Sequence, residues 1–225
     1  MNRFYQKFAL AAVLAAPPLH AQIAYRETFP EHRNPAQYIR IAAAGEKWEI
    51  LKDDDGARFM RVTMLPLENR PRALVVWDLA PLQFNRLSVR VRVNGSGAAP
   101  VFLSLSASDR FGSSYTFKPF GKADGAPRKP LPAGGAWATY SARTPDDLAS
   151  IFERGKEVSP YVHGRGEAVT TWENVDFKNI GFKTLHFQID VLKNSVLMGK
   201  PFSVDFKLLE LANDRPAPPA APLPH

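Results

Sequence analysis

The chain has 225 residues, of which 45% are hydrophobic, 29 are lysine or arginine and 22 are aspartate or glutamate, so its formal charge is +7. This length and apolar content are sufficient for one domain with a full hydrophobic core. The chain has no cysteine, which excludes disulfides, thiolate metal sites and cysteine nucleophiles. The positive charge is compatible with an acidic polymer as partner, but no dense block of lysine and arginine predicts a nucleic-acid surface.

The first 21 residues have the layout of a secretory signal peptide. Arg3 and Lys7 supply the positive start, residues 8–16 are an unbroken apolar run, and Ala21 is a small residue at the expected cleavage position. The apolar run is far shorter than the roughly 20 residues that span a bilayer. The sequence therefore predicts cleavage after Ala21 and a secreted or periplasmic protein, with no membrane insertion once the signal is removed.

Alternating apolar and polar residues predict β-strands along most of the remaining chain. In residues 87–93, 101–108 and 184–191, apolar side chains occupy every second position, which is typical of half-buried strands. Further strands are predicted at residues 47–51, 58–65, 73–79, 115–119 and 202–211. The only helical signal is one short turn in residues 145–154, with Thr144 as its cap.

Short strands separated by Gly, Pro, Asn and Asp clusters predict an all-β fold. We expect a two-sheet antiparallel β-sandwich over residues 22–212. Residues 213–225 contain five prolines and are predicted to be a disordered tail. The sequence therefore predicts one folded domain between a signal peptide and a tail.

Several segments resemble strands of the galactose-binding-domain-like superfamily, which includes many carbohydrate-binding modules. These segments are residues 26–29, Trp48 with 53–56 and 59–62, 87–93 with 101–109, 135–140, and 189–190 with 202–208. The resemblance implies a jelly-roll fold over most of residues 24–212. It also implies that a sugar is one candidate ligand, although fold alone does not determine the activity.

The resemblance implies a structural calcium site where the first and last strands meet. Glu27 and Asp205 occupy the matching places, and Asp53, Asp54 or Asp55 lies within reach in sequence terms. Carboxylate oxygens are ligands that calcium prefers. The run of three aspartates is equally consistent with a solvated turn, so calcium is expected here only as a structural cofactor.

A polar sheet face is the predicted carbohydrate site. In the predicted strand over residues 184–191, Thr184, His186, Gln188 and Asp190 share one face. The predicted ligand-binding residues are Trp77, Arg90, Arg92, Tyr115, Trp172, His186 and Gln188. Aromatic rings pack against the C–H groups of a sugar, and arginine forks suit carboxylate or sulfate groups.

Several of these residues have a structural alternative. Arg90 and Arg92 are equally consistent with a solvated outer face, and His186 with a hydrogen-bonded structural histidine. Trp48 and Trp137 follow strand patterns in which packing in the core is the better interpretation.

The sequence leaves three functions open. The favoured one is a monomeric, non-catalytic protein that binds a polysaccharide or oligosaccharide. The second is a polysaccharide lyase, for which Tyr115, Tyr161, His163, Arg165 and His186 supply the residue types. The third is a structural or adhesion module that binds protein. No Gly-x-Ser-x-Gly, His-Glu-x-x-His or phosphate-loop motif occurs, so an enzyme is the less favoured interpretation.

Overall fold

A computed structural model describes residues 22–41, 47–69, 72–109, 113–118, 130–144, 146–153, 156–157 and 181–213. The predicted signal peptide and nearly all of the predicted tail lie outside this range. Trp172, Tyr161, His163 and Arg165 also lie outside the described residues. Within the described part of the chain, no helix is long and apolar enough to cross a membrane.

In the part of the chain that the structure describes, thirteen strands form two antiparallel sheets, with one 3-10 turn at Pro35–Gln37. Sheet I runs in the order β3 (Lys47–Lys52), β4 (Arg58–Met64), β13 (Phe202–Asn213), β6 (Arg86–Asn94) and β9 (Ala138–Arg143), with β1 (Gln22–Glu27) also paired to β13. Sheet II runs in the order β11 (Lys156–Glu157), β10 (Leu148–Glu153), β8 (Ser114–Phe117), β7 (Val101–Asp109), β12 (Phe182–Val191), β5 (Arg72–Leu82) and β2 (Ile39–Ile41). The predicted all-β, two-sheet antiparallel sandwich is confirmed.

The core lies between the sheets because every second residue of the central strands is apolar and faces inward. Phe187 of β12 and Phe206 of β13 meet across the interior with ring centroids 5.6 Å apart. The ring of Trp77 lies 6.3 Å from that of Phe187 and 5.7 Å from that of Phe29. Each such fully buried side chain contributes about 2 kcal/mol of hydrophobic free energy.

An irregularity in β13 sets which side chains reach the outer surface of sheet I. The register of β13 against β6 shifts between Phe206 and Leu208. The extra residue lets Phe206 and Leu209 both face the core. Asp205 and Lys207 consequently lie on the outer face of sheet I, although both are charged and both are buried.

The predicted helical turn at residues 145–154 is wrong. Leu148–Glu153 forms strand β10, which pairs antiparallel with Ser114–Phe117 of β8. An edge strand presents unpaired backbone N–H and C=O groups. Pairing with that edge outweighs the weak local preference for a helix.

Candidate functional site

The residues predicted to form one carbohydrate site lie in different parts of the sandwich. His186 and Gln188 lie on the outer face of sheet II, paired with β7 and β5. Arg90 and Arg92 lie on the outer face of sheet I, paired with β13. The core separates the two pairs, so they do not form one site.

Trp77 and Tyr115 are core residues, and their predicted place at the ligand surface is wrong. The side chain of Trp77 is 0% exposed, and its Nε1 donates a hydrogen bond to Tyr25 Oη at 3.2 Å. Tyr115 is 4% exposed, its hydroxyl donates to Asp109 Oδ2 at 3.0 Å, and its ring lies 5.3 Å from that of Phe182. Neither ring is accessible to a sugar.

The outer face of sheet II carries a continuous set of short hydrogen-bonding side chains, which we name the polar face. Its members are Ser104, Ser106, Ser108, Ser114, Thr116, Thr184, His186, Gln188 and Asp190. The cross-strand pairs in its centre are Thr184–Ser108, His186–Ser106 and Gln188–Ser104. All nine are half-buried. Hydrogen-bonding groups are thus aligned in rows across neighbouring strands, about 4.8 Å apart.

Two contacts orient the central side chains of the polar face. Thr184 Oγ1 lies 3.1 Å from His186 Nε2, and Gln188 Nε2 donates to Asp190 Oδ1 at 2.8 Å. Burial lowers the pKa of His186, and the nearby Arg40 lowers it further. The imidazole is therefore neutral at pH 7, with one nitrogen that donates and one that accepts.

An ion pair lies beside the polar face, on its β2 side. Arg40 Nε donates to Asp78 Oδ2 at 3.0 Å, and Arg40 Nη2 donates to Asp78 Oδ1 at 2.9 Å. This two-point contact joins β2 to β5. The guanidinium of Arg40 is therefore neutralised at the edge of the face.

The outer face of sheet I is built differently, around a buried carboxylate. Arg61 donates to Asp205 through Nε at 2.8 Å and Nη2 at 3.0 Å. Arg92 Nε donates to Asp205 Oδ2 at 2.7 Å, and Asn94 Nδ2 donates to the same oxygen at 2.9 Å. Arg92 is therefore committed to internal contacts, and its role in ligand binding stays a prediction.

A second carboxylate extends this network to the loop after β3. Asp53 accepts hydrogen bonds from Lys207 Nζ at 2.8 Å, Trp137 Nε1 at 2.8 Å and Arg92 Nη1 at 3.2 Å. Lys207 also donates to Asp55 at 2.6 Å. The hydrogen bond from Lys207 is the main reason that the pKa of Asp53 lies well below its usual range.

Trp137 belongs to this outer network, and the expectation that it packs in the core is wrong. It precedes β9, whose outward residues Thr139 and Ser141 are exposed. Its ring meets that of Phe59 edge-on, with centroids 5.8 Å apart. The alternation Trp137, Thr139, Ser141 was the available signal, because it groups the tryptophan with polar residues. Trp48, by contrast, packs partly buried against the core, as expected.

Glu27 anchors the turn that follows β1. Its carboxylate accepts hydrogen bonds from Phe29 N at 2.6 Å, Tyr25 Oη at 3.0 Å and Arg33 Nη1 at 3.0 Å. Phe29 has a φ of 55°, which is unusual for a residue with a side chain. The bond to Glu27 holds this conformation while the Phe29 ring enters the core.

The two predicted calcium ligands do not fit a shared metal site. Glu27 is in register with the core residue Leu209, whereas Asp205 faces outward from the same sheet. Each carboxylate is already occupied by N–H or O–H donors, including an arginine. Among the described residues, no group of three or more His, Cys, Asp or Glu is arranged to hold a metal ion.

No protein-family model and no curated protein matches the sequence. Among solved structures, the fold is similar to a family 11 carbohydrate-binding module from Clostridium thermocellum in complex with a β-1,3-1,4-mixed-linked tetrasaccharide (12% identity, 86% of this chain, 98% of that chain, TM-score 0.45). It is also similar to the CBM22-1 xylan-binding domain of Paenibacillus barcinonensis Xyn10C (10% identity, 88% of this chain, 97% of that chain, TM-score 0.44). A third similar structure is an exo-β-agarase (14% identity, 89% of this chain, 26% of that chain, TM-score 0.44). No residue role is carried over from these structures.

Proposed function

We propose that this protein is an exported, non-catalytic carbohydrate-binding protein that holds a glycan against the polar face of sheet II. The observation that carries the proposal is the alignment of hydroxyl, amide and imidazole side chains in rows across β8, β7 and β12. The signal-like residues 1–21 support export, and a polysaccharide outside the cell or in the periplasm is the expected partner.

The chemistry of the polar face suits sugar hydroxyls. Serine and threonine hydroxyls both donate and accept hydrogen bonds, and so do the side chains of Gln188 and neutral His186. A sugar hydroxyl also donates and accepts hydrogen bonds, so it finds a hydrogen-bonding partner on such a face whichever way its O–H points. Strand spacing is comparable to the length of a pyranose ring, so successive sugar units can lie over successive strands.

The polar face favours a neutral glycan over an acidic one. Arg40, on its β2 side, is held at two points by Asp78, and Arg72 of β5 lies opposite Asp190 in the strand register. The carboxylate of Asp190 offsets the charge of Arg72, as Asp78 offsets that of Arg40, so these groups leave no excess positive charge to attract a uronate or a sulfate. A single neutral hydrogen bond contributes only about 1 kcal/mol net, so we expect affinity to grow with the number of sugar units.

Affinity electrophoresis tests the function. The protein lacking residues 1–21 is run in gels that contain xylan, mixed-linkage β-glucan or polygalacturonate, and the same mixtures are assayed for new reducing ends and unsaturated products. We expect retardation by a neutral polysaccharide without cleavage. Cleavage would replace the proposal with a glycan-degrading enzyme, and an absence of retardation in every polysaccharide gel would overturn it.

The variant Gln188→Ala provides the site test, with Ser88→Ala on the outer face of sheet I as its matched control. Loss of the Gln188 contacts should weaken retardation about fivefold, which corresponds to about 1 kcal/mol. Ser88→Ala, which removes a polar group from the other sheet, should leave retardation unchanged. Equal effects of the two variants would show that the glycan binds elsewhere.

A further inference from the structure

Arg90 differs from its neighbours on the outer face of sheet I. It lies on β6 and is exposed, whereas Arg92, two residues later, is bound to Asp205 and Asp53. Among the described residues, no carboxylate lies within salt-bridge distance of the Arg90 guanidinium. The Cζ atom of Arg90 lies 5.7 Å from the centroid of the Trp137 ring. Arg90 is therefore a cation beside an indole, with no carboxylate partner in the described part of the chain.

The Trp137 ring is held in place from its edge and from one side. Its Nε1 donates to Asp53 Oδ2 at 2.8 Å, and the Cζ atom of Arg92 lies 4.3 Å from the ring centroid. The ring of Phe59, which is almost fully buried, contacts it edge-on. Trp137 itself is only half-buried. A fixed, partly accessible aromatic ring loses little conformational entropy when a ligand packs against it.

The carboxylate that supports Trp137 is itself held by several contacts. Asp53 accepts hydrogen bonds from Lys207 and Arg92, which belong to the central strands β13 and β6. Its backbone N–H donates to Ala57 O at 2.8 Å, which closes the turn after β3, and Gly56 in that turn has a φ of 77°. Burying several paired charges on an outer sheet face has a desolvation cost. In this sheet the arrangement fixes Trp137 next to Arg90.

We propose that Trp137 and Arg90 form a second carbohydrate site, specific for a sugar that carries a carboxylate or sulfate group. The C–H face of the sugar would pack on the indole, and its anionic group would accept two hydrogen bonds from the Arg90 fork. Thr139 is exposed and is paired with Arg90 across β6 and β9, so its hydroxyl could contact the same sugar ring. The site lies on the opposite side of the sandwich from the polar face, so it does not depend on the function proposed for that face.

Gels containing polygalacturonate, dextran sulfate or neutral dextran test the second site and distinguish carboxylate from sulfate. The variants are Arg90→Gln and Trp137→Phe. The control is Arg26→Gln, which removes the same charge from an exposed arginine on the same outer face, where it pairs with Glu210. We expect retardation by at least one of the two anionic polymers. Arg90→Gln should weaken it about tenfold, as expected for a charged two-point hydrogen bond.

Arg26→Gln and Gln188→Ala should leave retardation by the anionic polymer unchanged, which separates this site from the polar face. Equal weakening by Arg90→Gln and Arg26→Gln would show attraction to net charge alone and would overturn the proposal. The absence of retardation by either anionic polymer would overturn it as well. Oligogalacturonate or a sulfated oligosaccharide should also quench tryptophan fluorescence in the unsubstituted protein, and a full quench in Trp137→Phe would contradict the stacking role.

Discussion

The Nε atom of Arg92 lies 2.7 Å from Oδ2 of Asp205, at a carboxylate that is completely buried on the outer face of sheet I. Arg61 and Asn94 fill the other acceptor positions of that carboxylate. A charge this far removed from water is tolerated only when it is paired and hydrogen-bonded. The contact therefore ties β4, β6 and β13 together and is a structural element of the sheet.

Asp205→Asn should destabilise the protein strongly. The amide cannot neutralise Arg61 and Arg92, and its NH₂ group would face their N–H donors, so we expect a loss of about 3 kcal/mol in the free energy of unfolding. Urea denaturation followed by tryptophan fluorescence measures this quantity. Glu210→Gln, which breaks the more exposed pair with Arg26, is the control and should cost less than about 1 kcal/mol. A loss for Asp205→Asn no larger than that of the control would contradict the assignment.

Acid should weaken the network around Lys207. Hydrogen bonds from Lys207 lower the pKa of both Asp53 and Asp55 in the folded state. In the unfolded chain an aspartate titrates near its ordinary pKa of about 4. The stabilisation is therefore fully present above about pH 4 and is lost as the pH falls through the lowered pKa values. Below that pH, the thermal midpoint should fall less steeply with decreasing pH for Asp53→Asn than for the unsubstituted protein. Parallel curves of midpoint against pH would refute this explanation.

His186 should give a separate pH dependence in a milder range. Burial and Arg40 lower its pKa in the folded protein, while Asp78 partly opposes them. On acidification, the imidazole of His186 is protonated at a higher pH in the unfolded state, near its ordinary pKa of about 6.5, than in the folded state. The stability of the fold therefore declines as the pH falls below that value. We expect His186→Gln to remove this component of the decline in the thermal midpoint. A stability that rises on acidification through this range would show the opposite sign of shift.

Calcium removal should leave the stability unchanged. Arg33 supplies a positive charge to Glu27, and two arginines supply it to Asp205, so neither carboxylate is free for a metal. The thermal midpoint should be the same with a calcium chelator and with added calcium, while Glu27→Gln should lower it in both conditions. A midpoint that rises with added calcium would restore the predicted metal site.

The alternating pattern of the sequence was sufficient to predict the central strands and the sandwich. The predicted strand at residues 87–93 lies within β6, and that at residues 184–191 lies within β12. The pattern failed at residues 148–153, where pairing with β8 decides the conformation. Strand β8 is distant in sequence from residues 148–153, so the local sequence alone cannot reveal that the two segments pair.

The candidate site was harder to predict because alternation reveals the face of a strand but not its sheet. Arg90 and His186 both point outward, yet β6 and β12 belong to different sheets. Trp77 is a different case, since its alternation with Val75 and Leu79 already indicated the core. The pairing of Asp205 with Arg92 joins residues far apart in sequence and had no local signal.

A glycan site on the polar face can be tested by following the imidazole of His186 by proton NMR during titration with a neutral polysaccharide fragment that retards the protein. His186→Gln assigns the resonance, and the exposed His32, which precedes the turn Pro35–Gln37, is the internal reference. We expect the His186 resonance to shift in proportion to the bound fraction while that of His32 stays in place. Saturable binding that leaves the His186 resonance unmoved would contradict a glycan site on the polar face.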